Sequence, residues 1–349
     1  MKAVICVLLI GTGLSLHAQN WKAGGSGEWT NEASWTTGAL PGTDSTVTFT
    51  GGGPALVNIG SPQTIQGMTF NNAAQAFTFS GQTLTVTGAA TGTAINNNVS
   101  PSVQTFNNAV TLNNAYAVMT INGGSAGLVF KNTFTSSNTN VLQVNGTVTF
   151  TSNVNITGTF RTSGNITFAN TTSNNINSFA LNGDAVVTVN TTAGVLFYGG
   201  TQFLHNQDGA TLIFNTADVI GHNTRITIGN SGRTNTTYVF NANQQLGDIN
   251  ITNNTLNIVL GDDLTSLIFN TNSAGNVIHA EGLVIINNFK AGVINGFSAD
   301  DLDRIIAYDK NGLVTLSLDG GMLVPEPATI GLLAISAGAL MLMRRRLSR

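Results

Sequence analysis

The chain has 349 residues, a formal net charge of −3 and charged side chains at only 8% of its positions. Between Trp21 and Val324 eight Lys/Arg stand against fifteen Asp/Glu, a net −7, so the body has no basic footprint for nucleic acid or anionic lipid. The one cysteine, Cys6, excludes an intramolecular disulfide, and the abundance of Val, Ile, Thr and Phe argues against disorder in spite of the polar composition.

Lys2 precedes an apolar run from Ala3 to Leu16, and Ala18 is a small residue suited to cleavage. This pattern predicts a secretory signal peptide over 1–18. Its removal would take Cys6 with it, so the exported chain would have no thiol chemistry.

Residues 19–46 hold all three tryptophans, Trp21, Trp29 and Trp35, among Gly-rich turns. They are read as an N-terminal cap whose indoles cover the open end of a stacked core, with a sugar-stacking platform as the competing reading.

From residue 47 to residue 290 short apolar–polar–apolar triplets recur. They lie at 47–49, 68–70, 77–79, 84–86, 119–121, 128–130, 148–150 and 154–156, and continue at 166–168, 186–189, 212–214, 226–228, 249–251, 256–258, 267–269 and 283–286. Each puts one face in a core and Thr or Asn on the other. Asn-Gly, Asn-Asn, Gly-Gly and Ser-Gly pairs separate them, and these tolerate left-handed turns. No proline occurs between Pro101 and Pro325, which suits a continuous sheet. A β-sandwich and a parallel β-helix both fit the rhythm. The length of the body, its quasi-regular turns and its heavy use of Asn favour an all-β, parallel, right-handed β-helix (solenoid) with coils of roughly 20–24 residues and hydrogen-bonded Asn ladders.

Over 291–324 the character changes, and a C-terminal cap is predicted. Ser298 can cap a short helix with Asp300 and Asp301 in its first turn, where acidic groups favour the helix dipole. Leu302, Ile305 and Ile306 share a face. Strands over 304–308 and 313–318 follow.

The chain ends PEPATIGLLAISAGALMLMRRRLSR. Pro325-Glu326-Pro327 is a stiff extended tripeptide. Residues 328–343 are sixteen positions without a charge, and Arg344, Arg345 and Arg346 stop them. Such a run predicts a transmembrane helix of about 24 Å, short of the ~30 Å hydrocarbon core but extended by snorkelling arginines. The positive-inside rule keeps those arginines cytoplasmic, which places the body across the membrane.

This tail over 325–349 resembles the PEP-CTERM sorting signal, in which a Pro-Glu-Pro box, a short hydrophobic helix and an arginine cluster follow one another. The resemblance implies recognition by an exosortase-type enzyme, with Glu326 read as part of the signal. It also implies passage through a secretion translocon, transient anchoring in the inner membrane and delivery to the surface or matrix of a Gram-negative bacterium. The opening, with Trp29-Thr-Asn-Glu-Ala-Ser-Trp35, Pro41-Gly-Thr-Asp44 and Gln63-Thr-Ile-Gln-Gly-Met-Thr-Phe-Asn-Asn72, is similar to autotransporter-associated β-strand repeat proteins. Across 90–280 the likeness is one of composition and strand rhythm.

Candidate chemistry is sparse. His205, His222 and His279 lack metal-ligand spacing, although His205 and His222, with Asp208, could meet on adjacent coils as a weak metal site. No zinc, P-loop, dinucleotide or EF-hand pattern occurs. Asp184, Asp208, Asp218, Asp248, Asp262 and Asp263, with Arg225 and Arg233, are the candidates for a polysaccharide lyase or glycosidase, and they are scattered singly, while Asp300, Asp301 and Asp303 are better explained as helix-start charges. Asp262-Asp263 reads as a turn after Gly261. Asn-x-Ser/Thr triplets such as Asn165-Ile-Thr167 follow from composition. The expectation is therefore an exported structural or adhesin-like surface protein with no catalytic residue, no metal and no cofactor. Exopolysaccharide is its expected ligand, and a secreted β-helix lyase or glycosidase is the alternative.

Overall fold

The alternation of apolar and polar residues is realised as a stack of parallel strands. A computed structural model of the chain describes residues 18–326, apart from 23–24, 53, 89–91, 114–117, 138–140, 170–174, 192–196, 206–208, 229–235, 252–253, 272–274, 276 and 280–281. Residues 1–17 of the leader predicted over 1–18, together with Pro327, the segment at 328–343 and Arg344 to Arg346, lie outside the described residues. Among those that are described, no helix is long and apolar enough to cross a membrane.

The fold is an all-β parallel solenoid with three faces. The first face runs through twelve parallel strands, from Gln19–Asn20 and Thr46–Phe49 to Ile249–Ile251 and Ile278–His279. The second runs through thirteen, from Gly27–Glu28 to Ile305–Asp309, and an antiparallel strand, Gly312–Val314, ends it. The third is narrower. Gln63–Ile65, Leu84–Val86, Val110–Leu112 and Phe134–Ser136 form its first part and lead into the nine-residue strand Val154–Thr162, whose remainder joins the first face. Gln244–Leu246, Leu267–Phe269 and Ile294–Asn295 form its last part. All sixteen apolar triplets named above lie within these strands.

Coil length varies more than the 20–24 residues expected. Stacked partners are separated by 18 residues between Val148 and Ile166 and by 28 between Leu256 and Val284. The strand register is kept while the turns absorb the difference, so the sequence repeats in rhythm and not in identity.

Inward-facing positions stack into columns. On the second face Phe79, Phe106, Phe130, Phe150 and Phe168 lie one above another, with ring centroids 4.8, 5.0, 5.4 and 5.4 Å apart and planes within 15° of parallel. The strand spacing of about 4.8 Å sets these distances, which fall in the range for offset ring stacking. Val189 interrupts the column, and Phe214 and Phe240 resume it at 5.2 Å. Outside the core, Asn241 Nδ2 donates to Asn215 Oδ1 and Asn215 Nδ2 to Asn190 Oδ1, at 2.6 and 2.7 Å.

Both ends of the core are covered. Trp21, Trp29 and Trp35 are 0–2% exposed; Trp35 meets the other two edge-on at 5.0 and 4.9 Å, and all three lie against Phe49. At the other end the helix is a 3-10 turn, Ala299–Arg304, with Ser298 as its N-cap. The expected strand over 313–318 is two strands. Gly312–Val314 ends the second face, while Leu316–Asp319 pairs with Met322–Pro325 in the third. The chain changes sheets at Thr315.

Candidate functional site

A polar groove lies where consecutive coils turn from the first face to the second. The strands Val118–Asn122, Val141–Asn145 and Val154–Thr162 leave the first face through Asn122-Gly123-Gly124, Asn145-Gly146 and Ser163-Gly164. Gly124 and Gly146 have φ of +62° and +71°, a region that costs side-chain-bearing residues about 1–2 kcal/mol. Space is equally restrictive. A Cβ on Gly146 would lie 2.4 Å from the Gly124 nitrogen, and one on Gly164 would lie 2.0 Å from the Gly146 oxygen. The corner is therefore backbone stacked on backbone.

Because no side chain fits there, an open groove of about 450 Å³ runs along the corner. Gly124, Gly146 and Gly164 form its floor, and Asn98, Ser125, Thr147, Ser163 and Asn165 its rim. One wall is held by hydrogen bonds across three coils. Ser163 Oγ and Gln143 Nε2 donate to Asn145 Oδ1 at 2.8 and 2.7 Å, and Asn145 Nδ2 donates to Asn122 Oδ1 at 2.8 Å. No charged side chain lines the groove, which offers amide and hydroxyl groups spaced by the coil repeat. Such groups can exchange hydrogen bonds with a neutral polyol; they supply no general acid, base or nucleophile.

A second cavity, of about 340 Å³, opens beside Trp21 at the N-terminal end. Trp21 is 1% exposed and its Nε1 donates to the Gly25 carbonyl at 3.0 Å, so its ring presents no free face for a sugar to stack on.

The singly scattered charges have separate structural settings. Arg225 Nε and Nη2 bind the Asp248 carboxylate at 2.7 and 2.9 Å, a bidentate pair with side-chain exposures of 42% and 8%. The hydrogen bond to Asp248 holds the Arg225 pKa above its ordinary value against the opposing effect of burial. Asp262 and Asp263 occupy the turn after Gly261, where Lys290 Nζ caps the Gly261 carbonyl at 2.7 Å. Asp218 sits at a turn with φ +52°. Asp184 packs beside Gly209, whose absent Cβ leaves room for it. Asp208 and Arg233 lie outside the described residues. The backbones of His205 and His279 lie in first-face strands and His222 lies in a turn. Among the described residues no three His, Cys, Asp or Glu side chains gather as a metal site.

Of the tripeptide expected to be a sorting motif, Pro325 is opposite Leu316 in the C-terminal hairpin and Glu326 is exposed, its N–H donating to the Thr315 carbonyl at 2.9 Å.

Taken one coil at a time, the residues of the corner groove are ordinary turn formers. The available signal was that Gly124, Gly146 and Gly164 recur 22 and 18 residues apart, each one coil from the next. No family model, curated protein or solved structure matches the chain.

Proposed function

We propose that this chain is an exported structural or adhesin-like protein of the cell surface or extracellular matrix, which acts by binding and without turnover. The leader over 1–18 directs it to the secretion translocon. The tail over 325–349 anchors it transiently in the inner membrane, where an exosortase-type enzyme reads Pro325-Glu326-Pro327. Outside, the solenoid binds neutral exopolysaccharide.

The observation that carries this reading is the charge-free corner groove, with its neutral amide and hydroxyl rim fixed by stacked backbone. Many weak hydrogen bonds to a repeating polyol suit a repeating protein surface, since linked weak contacts gain from effective concentration. The test is affinity electrophoresis of the chain through gels containing dextran or another neutral polysaccharide. Retardation that is relieved by the triple substitution S125A/S163A/N165A supports the reading. Equal mobility of both proteins in every polysaccharide gel would sink it. Fractionation of a host with and without its sorting enzyme tests the export step.

A further inference from the structure

We propose that the C-terminal end of the solenoid is an interfacial surface that rests on the outer face of a lipid bilayer. The inference depends on the reading of 328–343 as a membrane segment, and adds to it how the rod stands.

The tether holds this end close to the membrane segment. Met322–Pro325 is paired along its length with Leu316–Asp319, and the Glu326 N–H is bonded to Thr315. The chain is thus held to the end of the solenoid through Glu326, and only Pro327 separates that residue from the sixteen uncharged positions. One residue spans at most about 3.6 Å. A membrane segment joined so closely draws the end of the rod down to the lipid surface.

That end also exposes hydrophobic side chains. Tyr308 and Leu313 are cross-strand partners on the final hairpin of the second face, 41% and 70% exposed. No large hydrophobic side chain among the described residues is more exposed than Leu313. Val314 of the same hairpin, and Leu316 and Leu318 of the C-terminal hairpin in the third face, pack only partly onto the core. A tyrosine next to exposed aliphatic groups is the composition of a membrane–water boundary. Lys310 in the intervening turn is matched by Asp309, with Asp319 on the neighbouring hairpin, so this surface carries no basic excess. The contact is therefore apolar and does not require anionic lipid.

The test uses the chain from Gln19 to Arg349, the form that leader removal yields and one without cysteine. An environment-sensitive fluorophore is attached at L313C, or at A39C on the opposite end of the stack as the control. Each protein is reconstituted into phosphatidylcholine vesicles carrying a headgroup nitroxide. The expected result is strong quenching and a blue shift at 313 with neither at 39, because the control lies many strand spacings of about 4.8 Å away. Vesicle-bound protein whose label at 313 is quenched no more than that at 39 would overturn the inference and leave the anchor standing. A blue-shifted but unquenched label would also overturn it, pointing to cover by a second copy or by the chain's own tail. Failure to bind vesicles would remove the anchor reading, and the inference with it.

Discussion

Asp301 accepts the backbone N–H of Ile278 at 2.9 Å, joining the C-terminal cap to the last strand of the first face. Its other oxygen takes the N–H of Val277 at 3.1 Å and both the N–H and the hydroxyl of Ser298 at 2.8 Å. Among the described residues no strand of the first face follows Ile278–His279, and this 1%-exposed carboxylate satisfies N–H donors at that edge. Asp301→Ala leaves several buried donors unmatched, each worth about 1–3 kcal/mol. The expected outcome is loss of amide protection across 277–309 in hydrogen exchange, with the N-terminal coils unchanged, since a solenoid opens locally.

Arg225 and Asp248 make the only ion pair among the described residues. The pair bridges neighbouring coils of the first face, and Asp248 is the buried member. Arg225→Met removes the bidentate guanidinium from that carboxylate, and a loss of about 1–2 kcal/mol is expected, less than for a fully buried pair because the guanidinium is 42% exposed. Asp248→Asn should cost less, as it keeps most of the shape and leaves an exposed cation. The sign of the pH dependence follows from the raised Arg225 pKa: the contribution is complete below the unfolded value and is lost only as pH rises through the folded one. The difference between wild type and Arg225→Met in urea unfolding should thus stay flat from about pH 6 to about pH 9.

Much of the body was legible because its signal is local. A Val-Thr-Phe or Ile-Thr-Ile triplet reports its own face, and a parallel stack needs only that report repeated. Two strands outside those triplets, Gln104–Phe106 and Gln244–Leu246, carry an amide where the rule asks for an apolar residue. Gln104 and Gln244 face inward, 0% and 2% exposed. Each ties down a turn, through Phe77 N at 2.8 Å for Gln104 and Val219 N at 3.2 Å for Gln244. Their role depends on a partner 25 or more residues away, which no triplet reveals. Asp301, expected at a helix start, does lie in the first turn of the 3-10 helix but also reaches Val277 and Ile278, 24 and 23 residues away, and the three glycines of the groove acquire meaning only when their coils are stacked.

Gly146 and Gly38 separate conformational strain from crowding. Both have positive φ, +71° and +67°, but nothing lies within 4 Å of a Cβ on Gly38, whereas Gly146 would meet the Gly124 backbone. Gly38→Ala should therefore cost only the left-handed penalty of about 1–2 kcal/mol. Gly146→Ala adds a clash with backbone that has no rotamer to escape into, for a total above about 3 kcal/mol. Chemical denaturation of both variants checks the contrast. Equal losses would mean that the corner can open, and that the groove is less rigid than its stacking implies.

Phe130 stands in the middle of the phenylalanine column, between Phe106 at 5.0 Å and Phe150 at 5.4 Å, and is 1% exposed. Phe134 of the third face also leans on it at 4.9 Å, so the ring joins two faces. Phe130→Ala removes a buried ring whose loss typically costs about 3–5 kcal/mol, and the backbone ladder above and below restricts collapse of the cavity. Phe130→Leu retains most of the buried area and loses the ring-on-ring terms, about 0.5–1.5 kcal/mol for each neighbour. The column predicts where the damage falls. Exchange should accelerate in the strands bearing Phe106, Phe130 and Phe150 and fade toward Phe214, because Val189 interrupts the stacked column and only the edge-on ring of Phe197, 6.5 Å from both Phe168 and Phe214, joins its two parts. Uniform acceleration along the whole solenoid would instead mean that the coils unfold as one cooperative unit.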